Sequence, residues 1–189
     1  MALRLTLIAH ARTLAQKQAR FPLDEPVEID WEQKKGEWSK MFGRQTRFVC
    51  GPELRARQTA ALFSGTVEIT EALRDCDFGD WKGRQVEAIG PAAMGAWIQD
   101  WQAAPHGGES IHGVCLRVND WLDSLSGTGH IVAVTHPFLM RAALLKVLRC
   151  PPASFHAIDI EPLSAVDLRF NGIWRMRAVG LGALPQALC

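Results

Sequence analysis

Short apolar runs, several of them containing β-branched residues, recur along the chain between polar segments. Residues 3–9 are apolar and partly alternating, and Ile131-Val132-Ala133-Val134 is apolar without interruption. A continuous run of this kind is typical of a strand that is buried on both faces of a sheet. The pattern therefore predicts a central strand at residues 131–134, a strand at residues 3–9 and shorter strands at residues 47–50 and 67–69.

Helical signals occupy the segments between these strands. Gly51-Pro52 is expected to start one helix, because proline is favoured at the first helical position. The apolar face of that helix would carry Leu54, Ala61 and Leu62. Ser110 is a candidate N-cap of a second helix. The apolar residues that follow it at helical spacing are Ile111, Val114, Cys115, Val118 and Leu122.

The alternation of strands and helices defines the expected fold class. Residues 138–148 continue it with a helical segment after the central strand. Residues 165–170 and 174–177 are strand-like, and the turn sequence Asn171-Gly172 joins them as a hairpin. We expect an α/β protein, a three-layer α/β/α sandwich whose mostly parallel sheet has an antiparallel edge strand, in one domain over residues 1–189.

Charge and composition exclude several classes of protein. Lysine and arginine total 21 against 20 for aspartate and glutamate, so a net charge of +1 provides no general attraction to nucleic acid or an anionic membrane. The N-terminal apolar run is too short for a signal peptide, and no run reaches the about 18 residues of a membrane span. The absence of a C-x-x-C pair argues against a zinc site. The cysteines lie far apart, at Cys50, Cys76, Cys115, Cys150 and Cys189. We expect a soluble, cytoplasmic protein without a metal.

Two histidines stand where a parallel sheet binds ligands. His10 follows the first predicted strand and His136 follows the central one, each immediately before a helical segment. Ligands of open α/β sheets bind beyond the carboxyl ends of strands, where helix N-termini present backbone N–H groups to anions. A single histidine in this position is about as often a core or capping residue as a ligand-binding one. Two in matching positions favour a shared site for an anion.

The segments around these histidines resemble the ordered motifs of one family. Leu7-Ile8-Ala9-His10-Ala11-Arg12-Thr13 resembles the Arg-His-Gly-Glu-Thr signature of the histidine phosphatase, or phosphoglycerate mutase-like, superfamily. The resemblance spans roughly residues 3–178 and implies the fold of this family. Within the family, the sequence looks most similar to α-ribazole phosphatase-like members. The other matching segments are Arg55-Ala56-Arg57-Gln58-Thr59-Ala60, Leu73-Arg74-Asp75-Cys76-Asp77-Phe78-Gly79-Asp80-Trp81-Lys82-Gly83, Gly108-Glu109-Ser110 with Arg117, and Val134-Thr135-His136.

The resemblance implies a role for each matching residue. His10 would accept the phosphoryl group as a phosphohistidine, while His136 and Arg55 would hold the phosphoryl oxygens. Asp75 occupies the position of the family's glutamate that protonates the leaving oxygen and later activates water. Asp77 and Glu109 are the alternative proton donors. The chemistry implies no metal and no cofactor, and the partner would be a small phosphorylated metabolite.

The chain departs from the family pattern around both histidines. Ala9 replaces the usual arginine, Ala11 and Pro137 replace glycines, and Arg12 replaces an acidic or amide residue. Loss of one phosphate-binding group typically costs about 3 kcal/mol in the transition state, roughly a hundredfold in rate. We hypothesise that the Arg12 guanidinium moves into the space left at Ala9. Arg12 and Thr13 therefore join Arg55 as expected substrate-binding residues.

The sequence supports a metal-independent phosphomonoesterase acting through His10. A phosphomutase is the alternative within enzymes, but the chain is short and lacks long insertions that would shield an intermediate from water, which favours hydrolysis. A non-catalytic phosphate-binding or interaction module is the alternative from another class, and Ala9 supports it. Substrate specificity would come from the loop after residue 20 and from residues 90–106, where no motif indicates a particular substrate.

Overall fold

The computed structural model describes residues 2–177, which form a sheet with helices on both of its faces. Within that range the sheet has six strands in the order β3-β2-β4-β1-β5-β6. The strands are β1 (Leu3–Ala9), β2 (Thr46–Cys50), β3 (Glu68–Ile69), β4 (Gly129–Thr135), β5 (Ala165–Phe170) and β6 (Trp174–Arg177). The helices are α1 (Leu14–Lys17), α2 (Trp31–Lys34), α3 (Leu54–Ala61), α4 (Pro91–Gln99), α5 (Ile111–Ser124) and α6 (Pro137–Leu148).

The four strands β3, β2, β4 and β1 are parallel, and β5 and β6 run antiparallel to their neighbours. This confirms the predicted α/β class with an antiparallel edge near the C-terminal end of the described residues. The edge consists of the predicted hairpin, and Gly172 in its turn has a φ of +95°, a conformation that glycine adopts without strain. The β-branched segment lies in β4, at the centre of the sheet between β2 and β1.

Side-chain alternation along the parallel strands divides the core into two layers. On one face, Leu5 and Leu7 of β1 pack in a cluster with residues of α5 and α6. On the other face, Ile8 packs with Val132, Val134 and residues of α3 and the segment after it. Because successive strand residues point to opposite faces, both layers are buried by the same strands. The result is the predicted three-layer arrangement.

Helices α5 and α6, which flank β4 in the chain, lie where the sequence predicts helices. Ser110 caps α5, since its hydroxyl accepts the backbone N–H of Gly113 at 3.1 Å. The predicted apolar face of α5 is buried along its length. α6 begins at Pro137 with His136 as its N-cap, so the proline occupies the first position, where its missing N–H leaves no intrahelical bond unmade.

Helix α3 differs from the prediction in its start and in its buried face. It begins at Leu54 rather than at Gly51-Pro52, with Glu53 as the N-cap, and Leu54 and Ala61 are only partly buried. The inward side of α3 is largely polar, and hydrogen bonds compensate the burial of its polar side chains. The Thr59 hydroxyl accepts the N–H of Ala11 at 2.9 Å and donates to the Arg55 carbonyl at 2.7 Å. The buried residues of α3 are Arg55, Ala56, Gln58, Thr59 and Ala60.

Candidate active site

The sheet register brings the two histidines together. Ala9 at the end of β1 lies directly opposite Thr135 at the end of β4, so the next residue of each strand emerges at the same edge. The backbone N–H of His10 donates to the Thr135 carbonyl at 2.9 Å, and the centroids of the His10 and His136 rings are 5.2 Å apart. Both imidazoles are buried, with His10 4% exposed. Two rings this close can contact one small anion.

The His10 ring is held in the tautomer that leaves Nε2 without a proton. Its Nδ1 lies 2.7 Å from the carbonyl oxygen of Ala11, and because a carbonyl only accepts hydrogen bonds, Nδ1 carries the proton. Burial, followed by the nearby His136 and Arg55, lowers the pKa of His10 from its ordinary value to about 3. The imidazole is therefore neutral at pH 7, and its Nε2 lone pair is free to act as a nucleophile.

His136 lies between two carboxylates. Its Nε2 is 2.8 Å from Oε2 of Glu53, and its Nδ1 is 3.4 Å from Oδ2 of Asp75. Among residues 2–177, Nδ1 has no partner in hydrogen-bond geometry. The Glu53 carboxylate thus accepts a hydrogen bond from Nε2, and Nδ1 is the nitrogen left for a ligand.

Arg55 and Asp75 form a buried pair beside the histidines. One guanidinium nitrogen of Arg55 donates to Oδ2 of Asp75 at 2.6 Å, and the other donates to the Leu23 carbonyl at 3.0 Å. The Arg55 Nε is buried and has no partner within the described part of the chain. Burial raises the pKa of Asp75, but His136, Arg55 and His10 together outweigh it and hold that pKa below its usual range. Asp75 is therefore ionised in the unliganded site.

Glu53 is a member of this cluster that the sequence analysis missed. Its Oε1 accepts the backbone N–H of Asp75 at 2.7 Å, while Oε2 bonds to His136. Burial raises the pKa of Glu53, but the hydrogen bond and the charge of His136 outweigh this and lower it. An ideal Cβ on Gly51 would lie 2.9 Å from Glu53 Oε2 and 3.1 Å from His136 Nε2. In the sequence, the indication of this site was the acidic residue Glu53, which stands between Gly51 and Arg55.

The two alternative proton donors lie in other surroundings. Asp77 is 48% exposed and pairs with Lys82 at 2.5 Å. Glu109 bonds to Arg117 at 2.7 and 3.0 Å and to Arg74 at 3.3 Å. Each carboxylate thus has a basic partner of its own. Asp75 is the carboxylate that the structure brings next to both histidines.

The other two expected substrate-binding residues, Thr13 and Arg12, differ in their position relative to the site. Thr13 is buried and lines the same cavity as His10, but its hydroxyl caps α1 by accepting the Gln16 N–H at 3.5 Å. Arg12 is exposed and is absent from the lining of that cavity. Ala9 is fully buried. The movement of Arg12 toward the space at Ala9 stays a prediction, which phosphate binding by Arg12→Ala would test.

A cavity of about 310 Å³ opens onto His10. Arg55 and Asp75 belong to its wall and also to the wall of a second cavity of about 380 Å³ that includes Glu53. His136 lines neither cavity and is fully buried. The first cavity is basic and aromatic, since its lining includes Arg20, Phe21, Phe78, Phe138 and Arg141.

The remaining cysteine, acidic and histidine side chains of the described residues form no metal site. Cys50, Cys76, Cys115 and Cys150 are free thiols, and burial raises the pKa of Cys50 and of Cys115 to about 11. Cys189 lies outside the described residues. Within residues 2–177 no group of three histidine, cysteine or carboxylate side chains has the geometry of a metal site. No helix in that range is long and apolar enough to cross a membrane.

Comparison with known proteins identifies the class to which this fold and cluster belong. The model of the histidine phosphatase superfamily (branch 1) matches residues 5–179. The chain therefore belongs to that superfamily, as the motifs indicated.

Among its relatives, a glucosyl-3-phosphoglycerate phosphatase from Mycobacterium tuberculosis is 28% identical over 179 residues, covering 83% of this chain and 80% of the relative. The adenosylcobalamin/α-ribazole phosphatase of Salmonella typhimurium is 28% identical over 135 residues, covering 65% and 67% of the two chains. The solved structure of a mycobacterial glucosyl-3-phosphoglycerate phosphatase superposes with a TM-score of 0.78 at 27% identity, over 93% of this chain and 97% of that one.

Proposed function

We propose that the protein is a metal-independent phosphomonoesterase that transfers the phosphoryl group of a small metabolite to Nε2 of His10. The observation that carries this proposal is the neutral, singly protonated His10 ring beside His136 and Arg55. A nucleophile that stays unprotonated at neutral pH needs no separate base for the first step. The phosphatase names of the relatives support the same class of reaction.

In the first step the His10 Nε2 lone pair attacks phosphorus as the ester P–O bond breaks. The phosphoryl oxygens would lie between Arg55 and Nδ1 of His136, so that the positive charge of the guanidinium faces them throughout the transfer, and Nδ1 would donate a hydrogen bond to them when it carries a proton. The leaving alkoxide takes a proton from Asp75 and departs as the alcohol. The covalent intermediate divides one difficult hydrolysis into two easier steps.

Asp75 must gain a proton before it can act as this acid. In the unliganded site, burial raises the pKa of Asp75, but His136 and Arg55 outweigh this effect and hold the pKa low. A bound phosphate would draw the same two groups to its own oxygens and add negative charge nearby, and both effects raise the pKa of the carboxyl. Substrate binding would thus convert Asp75 into a usable acid.

In the second step a water molecule attacks the phosphohistidine while Asp75 takes its proton. The His10–phosphorus bond breaks, phosphate leaves and the neutral imidazole is restored. A phosphomutase would instead return the phosphoryl group to a substrate hydroxyl. We favour hydrolysis because two curated relatives of similar length are phosphatases.

A non-catalytic phosphate-binding module is a second candidate, and two observations favour it. Ala9 provides no guanidinium at the end of β1, and the Glu53 carboxylate places negative charge 2.8 Å from His136. Both features weaken the attraction of the site for a phosphate dianion. This candidate keeps the fold and the two histidines without turnover.

Hydrolysis of p-nitrophenyl phosphate at pH 5 to 8, with a metal chelator present, separates the two candidates. We expect turnover by the unmodified protein and none by His10→Ala. His112→Ala is the matched control, because that ring lies on α5 against Trp101 with centroids 4.5 Å apart. Absence of turnover in the unmodified protein, or equal turnover in His10→Ala, would reject the proposal.

A further inference from the structure

Arg141 is a largely buried cation in the wall of the His10 cavity. It lies on the second turn of α6, and its side chain is 18% exposed. The guanidinium carbon is 5.7 Å from the ring centroid of Phe138 and 5.7 Å from that of Phe155. Long side chains on a helix lean toward its N-terminus, which here is the end that carries His136.

The other arginines of this cavity have their charge matched by a hydrogen-bonded carboxylate. Arg20 donates to Glu25 at 2.7 Å, and Arg55 donates to Asp75 at 2.6 Å. The carboxylate paired with Arg141 is Asp159, whose oxygen is 3.9 Å away and whose side chain is 96% exposed. That separation exceeds a hydrogen bond, so the charge of Arg141 is only weakly compensated.

The guanidinium also has unused hydrogen-bonding capacity. Its Nε is buried and has no partner among residues 2–177. Burial lowers the pKa of Arg141 more than Asp159 raises it, so the environment opposes the charge that the side chain carries. Leaving a buried donor without a partner is costly, and an anion in the cavity would remove that cost.

Building on the proposed function, we propose that Arg141 binds an anionic oxygen group of the substrate in the His10 cavity. The group is either the phosphoryl group that is transferred or a carboxylate elsewhere on the same molecule. Both present paired oxygens that match the planar donors of a guanidinium. The aromatic rings beside Arg141 exclude water and strengthen the contact.

Two substrates of the same size distinguish the two sources of the anion. 3-Phosphoglycerate carries a carboxylate where glycerol 3-phosphate carries a hydroxymethyl group. Hydrolysis of both, and binding of both by calorimetry to His10→Ala, would be measured with and without Arg141→Gln. Arg141→Lys keeps the charge without the planar donors. Arg57→Gln, an exposed arginine on α3, and Asp159→Asn are the controls, and thermal unfolding verifies that each variant is folded.

We expect Arg141→Gln to weaken binding about tenfold or more, with partial recovery in Arg141→Lys and little change in either control. Equal losses for the two ligands would assign the contact to the phosphoryl group, and a larger loss for 3-phosphoglycerate to the carboxylate. Unchanged binding of both ligands, or the same loss in Asp159→Asn, would overturn the inference. Because binding is measured without turnover, a failure of the proposed catalysis leaves this result readable.

Discussion

Replacing Glu53 by glutamine tests how His136 is held in the site. The carboxylate accepts two hydrogen bonds, from His136 Nε2 at 2.8 Å and from the Asp75 backbone N–H at 2.7 Å. A glutamine of nearly the same shape has one amide oxygen and cannot accept both. If that oxygen stays with Asp75, the amide N–H donates to His136 Nε2, and the histidine proton moves to Nδ1.

The expected loss follows from the charge of these hydrogen bonds. A hydrogen bond to a charged group contributes about 1.5–3 kcal/mol, which corresponds to about a 10- to 100-fold decrease in kcat/KM. In the wild-type protein, the negative charge of Glu53 strengthens its hydrogen bond with Nε2 of His136, so the ring is held with Nδ1 on the side of Asp75. The glutamine variant keeps the shape and removes that charge.

The assay is kcat/KM for p-nitrophenyl phosphate from pH 5 to 8, with phosphate affinity and thermal stability measured on the same samples. We expect lower kcat/KM, a changed pH profile and a folded protein. A Glu53→Gln variant that binds phosphate more tightly and turns over faster would refute the reasoning. That outcome would mean that Glu53 repels the substrate instead of positioning His136.

Three further predictions concern the same cluster. Asp75→Asn should lower kcat by about a hundredfold or more, whereas Glu109→Gln should mainly lower the melting temperature; equal effects on kcat would contradict the assignment. Gly51→Ala should destabilise the protein by about 1–3 kcal/mol, because the ideal Cβ lies 2.6 Å from a backbone carbonyl; wild-type stability in urea would disagree. Stability should fall as the pH drops below about 6.5. Folding lowers the pKa of His10 to about 3 and that of His130 to about 4. Below pH 6.5 the unfolded state therefore binds protons that the folded state does not bind. For His10 the loss from a pH well above 6.5 down to pH 5 is about 2 kcal/mol, and His10→Gln should remove that part of the slope in urea titrations.

The sheet and the meeting of the histidines could be predicted because they depend on local patterns. The β-branched residues of β4 and the apolar run of β1 specify neighbouring parallel strands. Parallel strands present their carboxyl ends at one edge, so the residues after Ala9 and Thr135 meet there. The helical spacing after Ser110 likewise predicted the buried face of α5.

The missed features depend on contacts between distant segments. The buried side of α3 is polar because Arg55 and Thr59 find partners on Asp75 and Ala11, and hydrophobic periodicity carries no information about such partners. Glu53 looks like an ordinary residue at the start of a helix until His136, 83 positions away, is placed beside it. Arg141 resembles a surface residue of α6 until the rings of Phe138 and Phe155 bury it.

Trapping the phosphorylated protein tests the central claim most directly. After rapid mixing with a phosphate ester and quenching in base, which preserves phosphohistidine, peptide mass spectrometry would locate the modification. The account predicts transient phosphorylation at His10 that is lost in His10→Ala. Turnover without any phosphorylated His10, or phosphorylation at another residue, would contradict it.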